Sequence, residues 1–289
     1  MIYGLAYVVG ASLLFGVVPS ANKYVMLSGL TAECSTFWRE VTICTLALAL
    51  AKWSGHSLRI DRMDALHLSF IGATGMGITN YLVSSACLYI PVGLATVLHF
   101  LYPTIVCVFM VARFGQRMTK LKVGAILCSI SGMVLIANLK ADGGLNLIGL
   151  LFALASSLTY SFYIISNEQG RINQIPLIVK LFYSALGSTI FFGILCLTQG
   201  ILAVPPSLDV AVIQFGVSGV GSLGAFYLLT AGIRCLGASA ASFVNMLEPV
   251  TSLIVGALVY QEYPTPAIAC GVVLVLCSVL FVAIDSMNA

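Results

Sequence analysis

The sequence predicts an all-α membrane protein, with ten transmembrane helices arranged as two inverted five-helix repeats around a central cavity. Three observations lead there. Hydrophobic residues make up 60% of the 289 and charged residues 8%, with a mean hydropathy of +1.06, whereas a soluble domain carries about 25% charged residues. The apolar runs are long enough to span, since roughly 20 residues cross the hydrocarbon core. The chain also repeats itself: Leu101-Tyr102-Pro103, followed by an apolar run and Gln116-Arg117-Met118-Thr119, is matched by Leu247-Glu248-Pro249, a further apolar run and Glu262-Tyr263-Pro264-Thr265.

Apolar runs and their breaks place the first five spans at about 3–26, 32–51, 65–89, 92–113 and 119–138. The second five fall at about 145–167, 176–198, 209–233, 238–260 and 264–284. Residues 1–139 therefore form the first repeat and 140–289 the second. The N-terminus, Met1-Ile2-Tyr3-Gly4, has no charged leading region and no small-residue cleavage site, so it reads as a retained first span.

Charge sets the orientation. With the N-terminus inside, Lys52, Arg59, Arg62, Arg113, Arg117, Lys120, Lys122, Arg171, Lys180 and Arg234 lie on the cytoplasmic side, and the external loops hold only Lys140. The positive-inside rule then puts both termini in the cytoplasm. An odd number of spans per repeat turns the second copy over relative to the first, an arrangement found mainly in transporters. No charged tail is present to suit a nucleic-acid partner. The nine cysteines sit in apolar stretches without a C-x-x-C pair, which fits packing as small hydrophobes and implies neither metal nor cofactor.

Polar residues inside a bilayer are costly and are functional candidates by default. Glu248 lies ten residues into its span, about 15 Å deep at the helical rise, and Tyr102 is its counterpart from the other side. Pro103 and Pro249 each free a carbonyl one turn earlier and kink the helix. His99 and Asn245 sit one turn before the prolines, and Thr96 and Ser242 three residues before those; each set shares a helical face. Glu248 reads either as a neutral packing carboxyl or as a site for a proton or cationic group. His99 has the parallel choice of an interhelical hydrogen bond.

Asn80, Tyr81, Tyr160, Tyr163 and Tyr227 are further cavity-lining candidates, with core packing as the alternative. Lys23 and Glu168 occupy corresponding positions at opposite membrane faces, suiting either alternating gates or simple snorkelling. Arg39 and Glu40 lie roughly nine to ten Å below the outer surface, where a buried arginine needs a partner. The glycines of Gly72-x-x-Gly75-x-Gly77 recur as Gly216-x-x-Gly219-x-Gly221, at an offset of 144 where the prolines differ by 146. Small residues of this kind let helices approach closely.

At these residues the chain resembles the EamA-type members of the drug/metabolite transporter superfamily. Glu248-Pro249, Gly256, Glu262, Thr265 and Gly271 resemble the family's pattern at the end of each repeat, and Arg39 falls where such repeats often carry an arginine. The first repeat departs from it: Tyr102 and Gln116 replace the two acidic residues, while Arg117, Thr119, Gly124 and Gly132 remain. The resemblance implies a ten-helix basket whose cavity is lined by spans one, three, four, six, eight and nine. It further implies alternating access, commonly exporting amino acids or other small metabolites; relatives also include importers of choline-like or cofactor-like solutes. The expectation is a secondary transporter in a bacterial plasma membrane, monomeric or weakly dimeric, with a small-molecule solute and the lipid bilayer as its partners. An intramembrane enzyme would need clustered acids or a nucleophile–base set, which the sequence lacks. A non-transporting assembly partner would not need polar residues matched across two repeats.

Overall fold

Long apolar stretches without water must satisfy their backbone internally, which favours helices throughout. The computed structural model describes residues 2–86, 89–90, 95, 98–137, 146–168, 171–260 and 266–288, and every element among them is helical. In the first half these are α1 (Ile2–Leu27), α2 (Ala32–Trp53), α3 (Arg62–Gly72), α4 (Thr79–Ala86), α5 (Tyr102–Phe114) and α6 (Lys120–Ala137). The second half contains α7 (Leu147–Glu168), α8 (Leu177–Gln199), α9 (Leu208–Val212), α10 (Gly221–Leu236), α11 (Ala238–Val244), α12 (Leu247–Tyr260) and α13 (Pro266–Asn288). Wider π turns join α3 to α4 through Ala73–Ile78 and α9 to α10 through Ile213–Val220. Both fall in the glycine-rich segments, and such bulges recur at functional sites.

Among the described residues, four stretches are long and apolar enough to cross a membrane by length and composition alone: Ile2–Leu27, Leu147–Glu168, Leu177–Gln199 and Leu208–Leu236. Shorter apolar helices occupy Tyr102–Phe114 and Ala269–Val282. The helix α2 is 22 residues long but carries Glu33, Arg39, Glu40 and Lys52. Its start is fixed by Thr31, whose side chain accepts from the Cys34 amide at 3.3 Å, a normal N-cap.

The principal packing partners exchange between the halves. The first helix, α1, packs on α10 and α12, and correspondingly α7 packs on α4 and α5. The contact of α3 with α8 is mirrored by that of the π turn after α9 with α2. Two contacts map onto themselves, α2 with α8 and α6 with α13.

Helices in lipid gain little from hydrophobicity against one another, so close backbone approach and polar contacts hold them together. A Cβ on Gly72 would strike the backbone of Ser184, and one on Gly187 the backbone of Ser69, so α3 and α8 touch backbone to backbone. Gly132 of α6 similarly abuts the Gly271 carbonyl of α13. The packing also revises the glycine register. Gly75 lies against Tyr163 of α7, and its counterpart by position is Gly221, which faces Val18 of α1. That pairing keeps the offset at 146, in line with the prolines, so the two G-x-x-G-x-G strings are not equivalent in space.

Candidate functional site

The two proline-bearing spans are broken where the prolines predict it. Before Pro249, α11 ends at Val244 and α12 begins at Leu247, with Met246 N donating to Phe243 O at 3.1 Å and Glu248 N to Asn245 O at 3.0 Å. The latter bond takes up the Asn245 carbonyl that a residue at 249 with an N–H would otherwise have bonded. Before Pro103, Leu101 N donates to Leu98 O at 3.3 Å, and α5 starts at Tyr102. These tight turns bring the residues ahead of both prolines to one place.

Asn245 is the hub. Its Nδ2 donates to Tyr102 Oη at 3.0 Å and to Glu248 Oε2 at 3.3 Å, while Ser12 Oγ of α1 lies 3.2 Å from its Oδ1. Tyr102 Oη is in turn 3.5 Å from the Ser242 carbonyl. Tyr102, Ser242, Asn245 and Ser12 have no exposed surface, and Glu248 is half-buried. The amide thus spends both protons on groups from the two halves of the chain, and unmet polar atoms at this depth would cost about 1–3 kcal/mol each.

A row of rings leads away from this hub. Tyr102 meets Tyr160 edge-on at 4.7 Å, and His99 lies 5.5 Å from both. Tyr160 stacks on Tyr163 at 6.1 Å and 7°, and Tyr163 meets Phe226 at 5.5 Å, which meets Phe15 at 4.9 Å. His99 Nδ1 is 3.0 Å from Ser156 Oγ, and Tyr163 Oη is 3.4 Å from Thr230 Oγ1. A carboxyl beside buried aromatic faces can hold a proton or a cationic group, and the ring faces themselves attract cations.

Of the residues singled out in the sequence, His99, Tyr102, Tyr160, Tyr163, Ser242, Asn245 and Glu248 come together here. Thr96 lies outside the described residues. Asn80 turns to α2, donating to Thr36 Oγ1 at 2.9 Å, and Tyr81 lies 6.1 Å from Phe192 of α8. Tyr227 is 41% exposed on the outside of the bundle, so its neighbour Phe226, not Tyr227, occupies the inward position. Ser12, Ser156 and Thr230 join the cluster without having been read as site residues. A hydroxyl every few residues is common in membrane helices, and nothing in their spacing distinguishes them.

The charged candidates form separate arrangements. Arg39 Nη2 bonds Glu40 Oε1 at 2.8 Å with both side chains buried, and among the described residues Arg39 Nε and Glu40 Oε2 have no hydrogen-bond partner. Glu168 accepts from Ala238 N at 2.5 Å, holding the start of α11 where Gly237 adopts φ 80°. The side chain of Lys23 is outside the described residues. Lys180, read from the sequence as a residue of the cytoplasmic side, is 1% exposed and donates to Asn167 O at 3.2 Å. Arg234 donates to the Ile175 carbonyl, just ahead of α8. Among the described residues no group of three His, Cys, Asp or Glu is placed to hold a metal ion.

A broken-helix polar centre inside an apolar helical bundle is an arrangement that membrane transporters use. The EamA-like transporter family model matches residues 2–138 and again 147–284, and the chain belongs to that family. It is 25% identical over 292 residues to YicL of Salmonella typhimurium, described as an uncharacterized inner membrane transporter; the match covers 98% of this chain and 96% of YicL. A protein of known crystal structure aligns with a TM-score of 0.79 at 20% identity, over 99% of this chain and 98% of that one. At that identity the likeness speaks for the fold alone.

Proposed function

We propose that the chain is a ten-helix secondary transporter in a bacterial plasma membrane, built as two inverted repeats over residues 1–139 and 140–289, with both termini cytoplasmic. It moves a small polar or amphiphilic metabolite, amino acids among the candidates, by alternating access around the Tyr102–Asn245–Glu248 centre, with export the favoured direction. The observation that carries this reading is the single amide of Asn245 bridging Tyr102 of one half and Glu248 of the other. A shared hydrogen bond across two broken helices ties the site to any movement of one half against the other. The exchange of packing partners between the halves, and the family match falling twice along the chain, support the repeat.

In this reading Glu248 carries the coupling proton or pairs with a cationic group of the solute, and the rings of Tyr102, Tyr160 and His99 receive its apolar part. Lys23 and Glu168 serve as gate residues at opposite faces, with Glu168 held on α11 in the present state. The direct test is counterflow in proteoliposomes across a panel of amino acids, quaternary amines and neutral metabolites. A saturable solute should appear whose exchange is lost in Asn245→Ala. The reading fails if that variant exchanges the solute with unchanged affinity and rate.

A further inference from the structure

Away from the centre, three helix ends meet in a cavity of about 420 Å³ that the transport reading does not use. Asp64 and His67 come from the start of α3, Arg113 from the end of α5, and Arg171 from the turn that follows α7. Arg171 Nη2 bonds Asp64 Oδ2 at 3.2 Å, yet its side chain remains 76% exposed, so the ion pair leaves most of it accessible. Arg113 lies over the ring of Phe114, its Cζ 5.8 Å from the centroid. Two guanidiniums less one carboxylate leave the cavity with a net charge of +1 when His67 is neutral.

The other wall is apolar and faces outward. Phe109 is 43% exposed and Phe162 37%. Phe109 precedes Arg113 by one helical turn, so it lies about 6 Å further into the membrane than the charge. The site is therefore amphipathic along the membrane normal, basic at the helix ends and aromatic on the side that acyl chains occupy. A free anion would use the arginines and leave the phenylalanines without a role. We propose that this cavity binds one anionic phospholipid, its phosphodiester between Arg113 and Arg171 and its acyl chain against Phe109 and Phe162. The charge matches one phosphate, and basic pockets between membrane helices take anionic headgroups.

Full-length protein in a neutral detergent, titrated with short-chain phosphatidylglycerol and followed by native mass spectrometry, tests the assignment. Phosphatidylcholine and inorganic phosphate serve as the other arms. Phosphatidylglycerol should bind as one retained adduct that neither of the others reproduces. Arg113→Gln and Arg171→Gln should each weaken it roughly fivefold and the pair about 25-fold, from about one kilocalorie per charge near the surface. Arg62→Gln, outside the cavity, should leave it unchanged. Equal retention of phosphatidylcholine, displacement of the lipid by equimolar phosphate, or wild-type binding in Arg171→Gln would each overturn the proposal. The exposure of Arg171 makes that single variant safe for folding.

Discussion

Tyr102 and Asn245 are 143 residues apart in the chain and share a 3.0 Å hydrogen bond at the point where both of their helices break. Neither residue has any exposed surface, so the bond is an internal fastening between the two halves at the candidate site. Its energetic weight is measurable. Tyr102→Phe keeps the ring against Tyr160 and removes the hydroxyl that accepts from Asn245 and donates to the Ser242 carbonyl, and should cost about 1 kcal/mol. Asn245→Ala strands Tyr102 and Glu248 together and should cost more, about 2–3 kcal/mol. A double-mutant cycle by denaturant unfolding should give a coupling of about 0.5–1.5 kcal/mol; strict additivity would mean the bond carries no stability.

Glu248→Gln tests proton coupling. Glutamine imitates the protonated carboxyl, so the variant should behave at every pH as the wild type does at the acidic end of its profile. Solute exchange at equal concentrations should continue, while accumulation driven by a pH gradient should stop. Gradient-driven uptake that survives in the variant would assign the proton elsewhere.

Glu168 holds the Ala238 amide at the first turn of α11. Glu168→Ala should free that turn by about 1 kcal/mol, the usual worth of a helix cap. Hydrogen exchange at the Ala238 amide should then accelerate roughly fivefold, with amides in α13 unaffected.

Close approach between α3 and α8 rests on Gly72 and Gly187, whose missing side chains leave room for backbone. Gly187→Val should lower the melting temperature sharply or prevent folding, since overpacking costs about 1–3 kcal/mol even where neighbours are side chains that can shift. Gly216→Ala should be nearly neutral, because nothing lies within 4 Å of a side chain there. Similar losses at both positions would contradict the packing described.

Much of the centre was legible because prolines and ionisable side chains are scarce in this composition. Pro103 and Pro249 mark the breaks, and the helical period from them points to His99, Tyr102, Ser242, Asn245 and Glu248. Asn80, Tyr81 and Tyr227 were read less well. A membrane helix is apolar on the face that meets lipid and on the face that meets its neighbours, so hydropathy does not distinguish Tyr227, turned outward, from Phe226, turned in. The repeated glycine strings misled for a related reason. Their letters align at 144, but it is the contacts with Tyr163 and Val18 that pair Gly75 with Gly221.

The sequence by itself determined that this chain lives in a membrane, where its helices break and which side chains lie deep, because each follows from transfer free energy and backbone geometry along one segment. Only the tertiary structure decided which deep residues meet. It placed one amide between Tyr102 and Glu248, paired Arg39 with Glu40, buried Lys180 against Asn167 and gathered Arg113 and Arg171 beside outward phenylalanines. Apart from Arg39 and Glu40, which are neighbours on α2, those contacts bring together residues of different helical segments, and the rotation and spacing of one helix against another is set by packing between them, which no single segment encodes.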